Sequence, residues 1–243
     1  MSELWDAIDK RTANVYGIYG NLGGGKTLSA VEIMICALNA GFPVTTNVQL
    51  RHIDGAKGKY TFIDDFSVVD FWKLPTGAPR GSSSSFRSFI VIDECAEFFD
   101  QYSSTSPVVK SFLSWLRHSS KRGQFVFLIV QKPEFLAKSL RLLVNKWIVC
   151  TDMEQMRLPI FRIKVPFMSD FVMRRIFDRV GNLISRGFML CDKGMIGRYY
   201  DTAQSIATEG REFDAVPVDE PPPLPSALWV LVWLYVLFCF WMM

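Results

Sequence analysis

The sequence predicts an α/β fold with a mostly parallel sheet flanked by helices. Short apolar runs of strand length alternate along the chain with segments whose apolar residues recur at helical spacing, beginning with 15–19 and 27–39. Two of the apolar runs end abruptly in polar residues, at Asp93 and at Gln131. Strands that are apolar throughout are typical of parallel sheets covered on both faces. Their alternation with helices therefore predicts one sheet between two layers of helices.

Composition limits the class of protein. The 243 residues are 49% hydrophobic and 21% charged, which is enough apolar content for one substantial core. The net charge of +3 is too small to indicate a nucleic-acid-binding protein, so any contact with DNA has to come from a local patch. Five scattered cysteines without a C-x-x-C pair indicate reduced thiols in a cytosolic domain. With only two histidines and no cysteine cluster near either, no zinc site is expected.

A glycine-rich segment joins the first apolar run to the first helical segment. It reads Gly20-Asn21-Leu22-Gly23-Gly24-Gly25-Lys26-Thr27 and fits the spacing G-x-x-x-x-G-K-T. Small residues allow backbone N–H groups to surround phosphates, and the helix that follows directs its positive end towards them. The whole segment is therefore predicted to bind nucleotide, with Lys26 at the β- and γ-phosphates and Thr27 as a Mg²⁺ ligand. The alternative is a glycine-rich turn without a ligand, but the strand-turn-helix context favours a P-loop NTPase that binds ATP and Mg²⁺.

An acidic pair follows the apolar run 89–92. A strand buried on both faces delivers such acids to the carboxyl edge of the sheet, as a Walker B strand does. Asp93 is predicted to hold the Mg²⁺ through water, and Glu94 to act as the catalytic base that polarises the attacking water. The alternative is an acidic first turn of a helix. Downstream of a complete phosphate loop, the pair is interpreted as catalytic and the chain as an ATP hydrolase.

The next helix and strand supply a candidate sensor. Ser106 and Pro107 predict the start of a helix, and Gly123 predicts its end. The apolar run 125–130 follows and stops at Gln131, where a γ-phosphate sensor is expected beside the Walker B strand. A polar residue that simply meets water at the end of a strand is the alternative.

Other segments up to residue 186 have weaker signals. Their patterns predict extended pieces at 44–48, 60–63, 147–150 and 158–165, a loop at 75–85 and a helix at 134–143. A basic amphipathic segment at 166–186 carries four arginines among apolar residues. It is interpreted either as a helix that lies on an anionic membrane surface or as a solvated helix face of the globular domain.

The C-terminal residues predict a membrane anchor. Residues 227–243 carry no charged side chain, and as a helix they span about 25 Å, just short of a hydrocarbon core of about 30 Å. A buried helix of the globular domain is the alternative, but such helices usually have a polar stripe. The predicted organisation is a cytoplasmic ATPase domain at 1–213 with a membrane-proximal subregion at 166–213, a proline-rich acidic linker at 214–225 and a transmembrane helix at 226–243.

Several short motifs besides the phosphate loop are shared with one family of proteins. They are 20–27, Thr46, Asn47, 91–95, His118, Lys121, Gly123, 127–131, Lys138, Arg141, Leu158, Pro159, Tyr200, Asp201 and Thr202. On these residues the chain resembles the Zot-like assembly ATPases of filamentous phages, the zona occludens toxin family that includes the phage gene I proteins. The resemblance covers about 15–206 and implies a cytoplasmic ATPase domain, one membrane crossing and a periplasmic tail. The sequence departs at the last point, because no periplasmic domain follows the apolar segment.

The expected function is that of a membrane-anchored ATPase that drives assembly and export of filamentous phage particles. The resemblance implies a homo-oligomer in the host inner membrane, with its ATPase domain in the cytoplasm. Its expected partners are phage single-stranded DNA or the coat and binding proteins of that DNA, and a separate periplasmic or exit-channel protein. Two alternatives are a DNA-packaging translocase of a membrane-containing phage and a nucleotide-regulated membrane scaffold with little turnover.

A positive charge for the transferring phosphoryl group is still missing from this set of residues. Motors of this kind usually supply it as an arginine from a neighbouring subunit. The candidates are Arg117, Arg122 and Arg141. Arg141 is favoured because it matches a family position and lies shortly after the sensor strand, with a structural ion pair as the alternative.

Overall fold

The computed structural model describes residues 3–8, 14–79, 84, 86–99, 102, 106–153, 170–184 and 189–200. Cα positions group the chain into two units, Met1–Asp201 and Thr202–Met243. The predicted linker and transmembrane helix belong to the second unit and lie outside the described residues, as does the predicted strand at 158–165. Among the residues that the structure describes, no helix is long and apolar enough to cross a membrane.

One sheet of eight strands forms the centre of the described region. The strands are β1 (Val15–Tyr19), β2 (Val44–Thr46), β3 (Tyr60–Phe62), β4 (Ser88–Ile92), β5 (Gln124–Val130), β6 (Lys146–Asp152), β7 (Phe171–Asp178) and β8 (Met189–Asp192). Their order is β3-β2-β4-β5-β1-β6-β7-β8. The strands from β3 to β6 in this order pair in parallel, and β7 and β8 are added as antiparallel strands.

Helices cover both faces of the sheet. They are α1 (Glu3–Ala7), α2 (Lys26–Asn39), α3 (Cys95–Phe98), α4 (Pro107–His118), α5 (Lys138–Arg141) and α6 (Lys193–Gly197). Apolar residues of α1, α2 and α6 form one core with one face of the sheet, and those of α3, α4 and α5 form the other. Every residue of β5 is buried, so that alternate side chains of this strand enter the two cores. The predicted α/β fold with a mostly parallel, doubly covered sheet is confirmed.

The two local helix signals in this part of the chain are also confirmed. Helix α2 begins at Lys26, directly after the glycine-rich segment. Helix α4 begins at Pro107, and the Ser106 side chain accepts a hydrogen bond from the Val109 N–H. A 3₁₀ turn, Ser119–Arg122, then leads to Gly123, which has a left-handed φ of 62° and ends the helical segment.

The helix predicted at 134–143 is interrupted. A 3₁₀ turn at Pro133–Phe135 and the short α5 take its place, with Leu136 and Ala137 extended between them. Both residues are fully buried, and the Ala137 N–H donates to the Phe99 carbonyl at 3.4 Å. Burial of these side chains against the sheet and bonding to a distant carbonyl therefore replace the helical conformation.

The helix predicted within 166–186 is wrong for Phe171–Asp178, which forms strand β7. Along this strand Val172 and Ile176 enter the core beside α2, and the Arg174 side chain on the same face forms a buried salt bridge with Glu32 of α2. Arg174 also donates to the carbonyls of Met189 and Leu190 on β8. One of the four arginines on which the surface interpretation rested is thus an inward-facing residue of a sheet.

Candidate nucleotide site

The glycine-rich segment turns between β1 and α2 with little free space around its backbone. Gly23 and Gly25 have positive φ angles of 70° and 78°, and the Gly24 N–H donates to the Asn21 carbonyl at 2.9 Å. A Cβ on Gly25 would lie 2.3 Å from Val172 Cγ2 on β7, and a Cβ on Gly20 would lie 2.2 Å from the Cys150 carbonyl oxygen on β6. Glycine is therefore required at both positions by contact, and at Gly25 also by conformation.

Lys26 is the first residue of α2 and is only 7% exposed. Its ammonium donates to the Asn21 carbonyl at 3.0 Å, so the charge lies across the loop from which α2 starts. The Ser29 hydroxyl donates to the Gly25 carbonyl at 2.9 Å and fixes the first turn of the helix. Backbone N–H groups of a helix start and one ammonium at its mouth form a site for phosphate groups.

Thr27 and Asp93 meet at the carboxyl edge of the sheet. The Thr27 hydroxyl donates to Asp93 Oδ2 at 2.8 Å, and Asp93 Oδ1 accepts from the Glu94 N–H at 2.9 Å. Burial raises the pKa of Asp93, and the hydrogen bond from Thr27 acts against that rise. A hydroxyl beside one carboxylate fits Mg²⁺, which takes few protein ligands and completes its shell with water and substrate phosphates. The described residues hold no cluster of three or more acids, cysteines or histidines for another kind of metal site.

Glu94 starts α3 in an unusual backbone conformation. Its φ of 46° and ψ of 42° lie in the left-handed region, which non-glycine residues seldom adopt. Burial is the main cause that raises the pKa of Glu94, followed by the charge of Asp93, whereas a hydrogen bond with the Gln131 side chain lowers it. The structure thus brings the predicted base and the predicted sensor into contact.

Strand order explains this contact. β5 lies between β1, which leads to the phosphate loop, and β4, which leads to the acids. Gln131 directly follows β5 and is exposed at the edge between the two. The predicted site residues of the loop, the acidic pair and Gln131 therefore gather at one edge of three adjacent strands.

The three arginines considered for the phosphoryl group lie on α4, on the 3₁₀ turn that follows it and on α5. Arg141 is the last residue of α5, and among the described residues it has no ion pair. Arg122 donates to the Trp72 carbonyl at 2.7 Å, and its guanidinium lies 5.5 Å from the centre of the Trp72 ring. Arg117 is exposed on α4. Arg122 therefore has a structural role of its own.

Two residues near the acids were assigned no role from sequence. Asn47 hydrogen-bonds to both backbone polar groups of Asp93, with its Nδ2 3.0 Å from the carbonyl and its Oδ1 2.7 Å from the N–H. Burial and then the charge of Asp93 raise the pKa of Tyr200 to about 12. The available signal for Asn47 was a polar residue directly after the strand that neighbours the Walker B strand.

Comparisons with known proteins identify a family and several relatives. The family model "Zonular occludens toxin (Zot)" matches residues 14–176. The Gene 1 protein of Enterobacteria phage I2-2 is 30% identical over 156 residues, which are 60% of this chain and 42% of that protein. That of Escherichia phage If1 is 27% identical over 154 residues, which are 60% of this chain and 43% of that protein. The chain therefore spans less than half the length of these curated relatives.

Solved structures include similar chains. The N-terminal domain of zonular occludens toxin from Neisseria meningitidis is 18% identical, with a TM-score of 0.45, and the match covers 78% of this chain and 99% of that one. The genome packaging NTPase B204 from Sulfolobus turreted icosahedral virus 2, in complex with AMP, is 13% identical with a TM-score of 0.46, covering 75% and 98%. Because the family model matches more than half of the 243 residues, the chain belongs to the zonular occludens toxin (Zot) family.

Proposed function

We propose that this chain is a Mg²⁺-dependent ATP hydrolase that drives the assembly and export of filamentous phage particles. The observation that carries the hydrolase is the hydrogen bond of 2.8 Å between Thr27 and Asp93, next to the paired Glu94 and Gln131. Membership of the Zot family and similarity to Gene 1 proteins of phages support the role in phage assembly.

Each candidate site residue has its own role in the proposed ATP hydrolysis. Loop N–H groups and Lys26 bind and orient the phosphates, and Thr27 and Asp93 hold Mg²⁺, which when bound neutralises phosphate charge. Glu94 takes the proton of the attacking water, and Gln131 holds the Glu94 carboxylate in place. Burial and the charge of Asp93 raise the pKa of Glu94, which makes its carboxylate a stronger base than that of an exposed glutamate.

Membrane anchoring and oligomerisation belong to the same proposal. The charge-free residues 227–243 support a transmembrane helix at 226–243, with the spacer 214–225 before it and the ATPase domain 1–213 in the cytoplasm. Lysines and arginines are plentiful before that helix, which supports this orientation in the host inner membrane. Family resemblance supports a homo-oligomer that acts on phage single-stranded DNA or its coat and binding proteins.

Glu94→Gln tests the hydrolase in the full-length protein in detergent. We expect this variant to bind ATP with unchanged affinity but to lose turnover, and to abolish particle yield of the phage that encodes it. Glu97→Gln is the matched control, because Glu97 is an exposed acid of α3, the helix that Glu94 directly precedes, and it should retain both activities. Unchanged turnover and yield in Glu94→Gln would instead support the membrane scaffold.

A further inference from the structure

Asn47 directly follows β2 and lies beside the end of β4, where the acidic pair begins. Thr46 is paired in register with Val91, so the next position along β2 faces the last residues of β4. There the Asn47 side chain replaces the backbone as the hydrogen-bond partner of β4. It donates to the Asp93 carbonyl at 3.0 Å and accepts from the Asp93 N–H at 2.7 Å. One primary amide therefore satisfies both backbone polar groups of Asp93 and extends the ladder beyond the strand.

This contact controls the orientation of one peptide group. The Asp93 carbonyl and the Glu94 N–H belong to the same planar unit. Asn47 holds the carbonyl, and the carboxylate of Asp93 accepts from the N–H at 2.9 Å. The peptide is thus fixed from both sides, and its orientation determines how the chain enters the left-handed conformation of Glu94. A non-glycine residue stays in that conformation only where its surroundings hold it.

The position of Asn47 is itself supported by β3. The Tyr60 hydroxyl donates to the Val48 carbonyl at 2.8 Å and accepts from the Leu50 N–H at 3.1 Å. Burial raises the pKa of Tyr60, so the phenol stays protonated and keeps its donor. The segment after β2 is therefore anchored on the side away from Asp93.

We propose that Asn47 is a positioning residue for ATP hydrolysis. By holding the Asp93 peptide it places the Glu94 carboxylate beside Gln131 and presents Asp93 Oδ2 to Thr27. Asn47 acts through these residues, and its recorded hydrogen bonds go to the Asp93 backbone and not to the phosphate loop. Loss of its side chain should therefore slow turnover without weakening nucleotide binding. The inference rests on the proposed hydrolase function.

The test compares turnover with nucleotide affinity in the full-length protein. We expect Asn47→Ala to lower kcat by about 10²-fold, as small misplacements of catalytic groups do, with unchanged affinity for a non-hydrolysable ATP analogue. Asn47→Asp keeps an acceptor for the Asp93 N–H but loses the donor and adds a charge beside the acids, so it should also be slow. Thr46→Val is the matched control, because it removes the 3.0 Å hydrogen bond to the Val48 N–H in the same segment without touching Asp93.

A double-mutant cycle separates positioning of Glu94 from a general structural effect. If Asn47 acts through Glu94, adding Asn47→Ala to Glu94→Gln should cause no further loss of the single-turnover rate. The proposal is overturned if the two losses are additive, if either Asn47 variant retains wild-type kcat, if Asn47→Ala loses nucleotide affinity, or if Thr46→Val is equally slow. Turnover that is absent in the wild type, or unchanged by Glu94→Gln, would overturn the hydrolase function itself.

Discussion

The six parallel strands and the antiparallel pair β7 and β8 use charged side chains in different ways. In the parallel part the candidate site residues Asp93 and Gln131 lie just beyond the ends of strands. In β7 the charged residue Arg174 lies in the middle of the strand and is fully buried. Side chains beyond the strand ends are accessible to a ligand, whereas Arg174 connects β7 to α2 through its salt bridge with Glu32.

The two parts meet at the phosphate loop. Val172 of β7 occupies the space where a side chain on Gly25 would lie, and the Cys150 carbonyl does the same at Gly20. The antiparallel strand β7 therefore supports the loop at Gly25, and the parallel strand β6 supports it at Gly20. The comparison predicts that changes in the parallel part affect chemistry, and that changes in the centre of β7 affect stability.

The largest effect on chemistry is expected for Lys26→Ala. Removal of the ammonium eliminates a phosphate contact and its charge stabilisation, so hydrolysis should fall by at least about 10³-fold and nucleotide affinity should fall as well. Steady-state ATP hydrolysis and analogue binding measure the two effects. Lys110→Ala, at an exposed lysine of α4, is the control and should behave as the wild type. Undiminished hydrolysis in Lys26→Ala would mean that the loop at Gly20 is not the site.

Arg141→Ala tests whether ATP hydrolysis at the edge of the parallel strands requires an arginine from a second subunit. If Arg141 stabilises the phosphoryl group bound by a neighbouring subunit, it contributes only in the transition state. The variant should therefore bind ATP normally and hydrolyse it about 10³-fold more slowly. Mixing it with Lys26→Ala subunits should recover some activity, because a mixed interface pairs an intact loop with an intact arginine. Arg117→Ala, at an exposed arginine of α4, is the matched single-site comparison. A mixture that stays inactive while wild-type subunits assemble and hydrolyse would exclude a role across the interface.

Arg174→Met tests the other side of the comparison. It leaves Glu32 buried without its partner, which should lower the free energy of unfolding by about 3–5 kcal/mol. Arg174→Met with Glu32→Leu should recover most of that loss, since an apolar pair of similar volume replaces the ion pair. Denaturant unfolding of the full-length protein measures both.

Arg175→Met is the control for this pair of variants. Arg175 is the next residue of β7 and stacks its guanidinium 5.7 Å from the Phe177 ring, so its loss should cost at most about 1 kcal/mol. If Arg175→Met destabilises as much as Arg174→Met, the buried ion pair is not what joins the antiparallel part to α2.

The same comparison explains what could be predicted from sequence. Sequence patterns predict the phosphate loop, the acidic pair and Gln131, because each of them directly follows an apolar run of strand length. Burial of Arg174 depends on Glu32, which lies 142 positions away, so a basic segment was interpreted as a surface helix. The interruption at Ala137 depends likewise on the Phe99 carbonyl.

The role of Asn47 was hidden for a related reason. The sequence shows a polar residue after Thr46. Its hydrogen-bond partner, the Asp93 backbone, depends on the register of β2 on β4, which the sequence does not specify. Residues whose function depends on strand pairing are therefore recognised only in the structure.

The smallest expected effects concern the pH dependence of kcat/KM, which reports the ionisation of groups in the free enzyme. Glu94 acts as a base only when ionised, so the rate should rise with pH through its pKa. Burial and the Asp93 charge raise that pKa from the ordinary value of 4.5. The acid limb of the pH–rate profile, in which the rate rises with pH, should therefore lie at higher pH than for an exposed glutamate.

Two substitutions should move this limb in opposite directions. Gln131→Leu removes a hydrogen bond that stabilises the ionised form, so the limb should move to higher pH. Glu97→Gln removes a nearby negative charge, so the limb should move to lower pH, and by less at high salt because Glu97 is exposed. Full pH–rate profiles of both variants at two ionic strengths provide the measurement. Shifts of the same sign in the two variants would show that another group controls the limb, and Glu94 would then lose its assignment as the base.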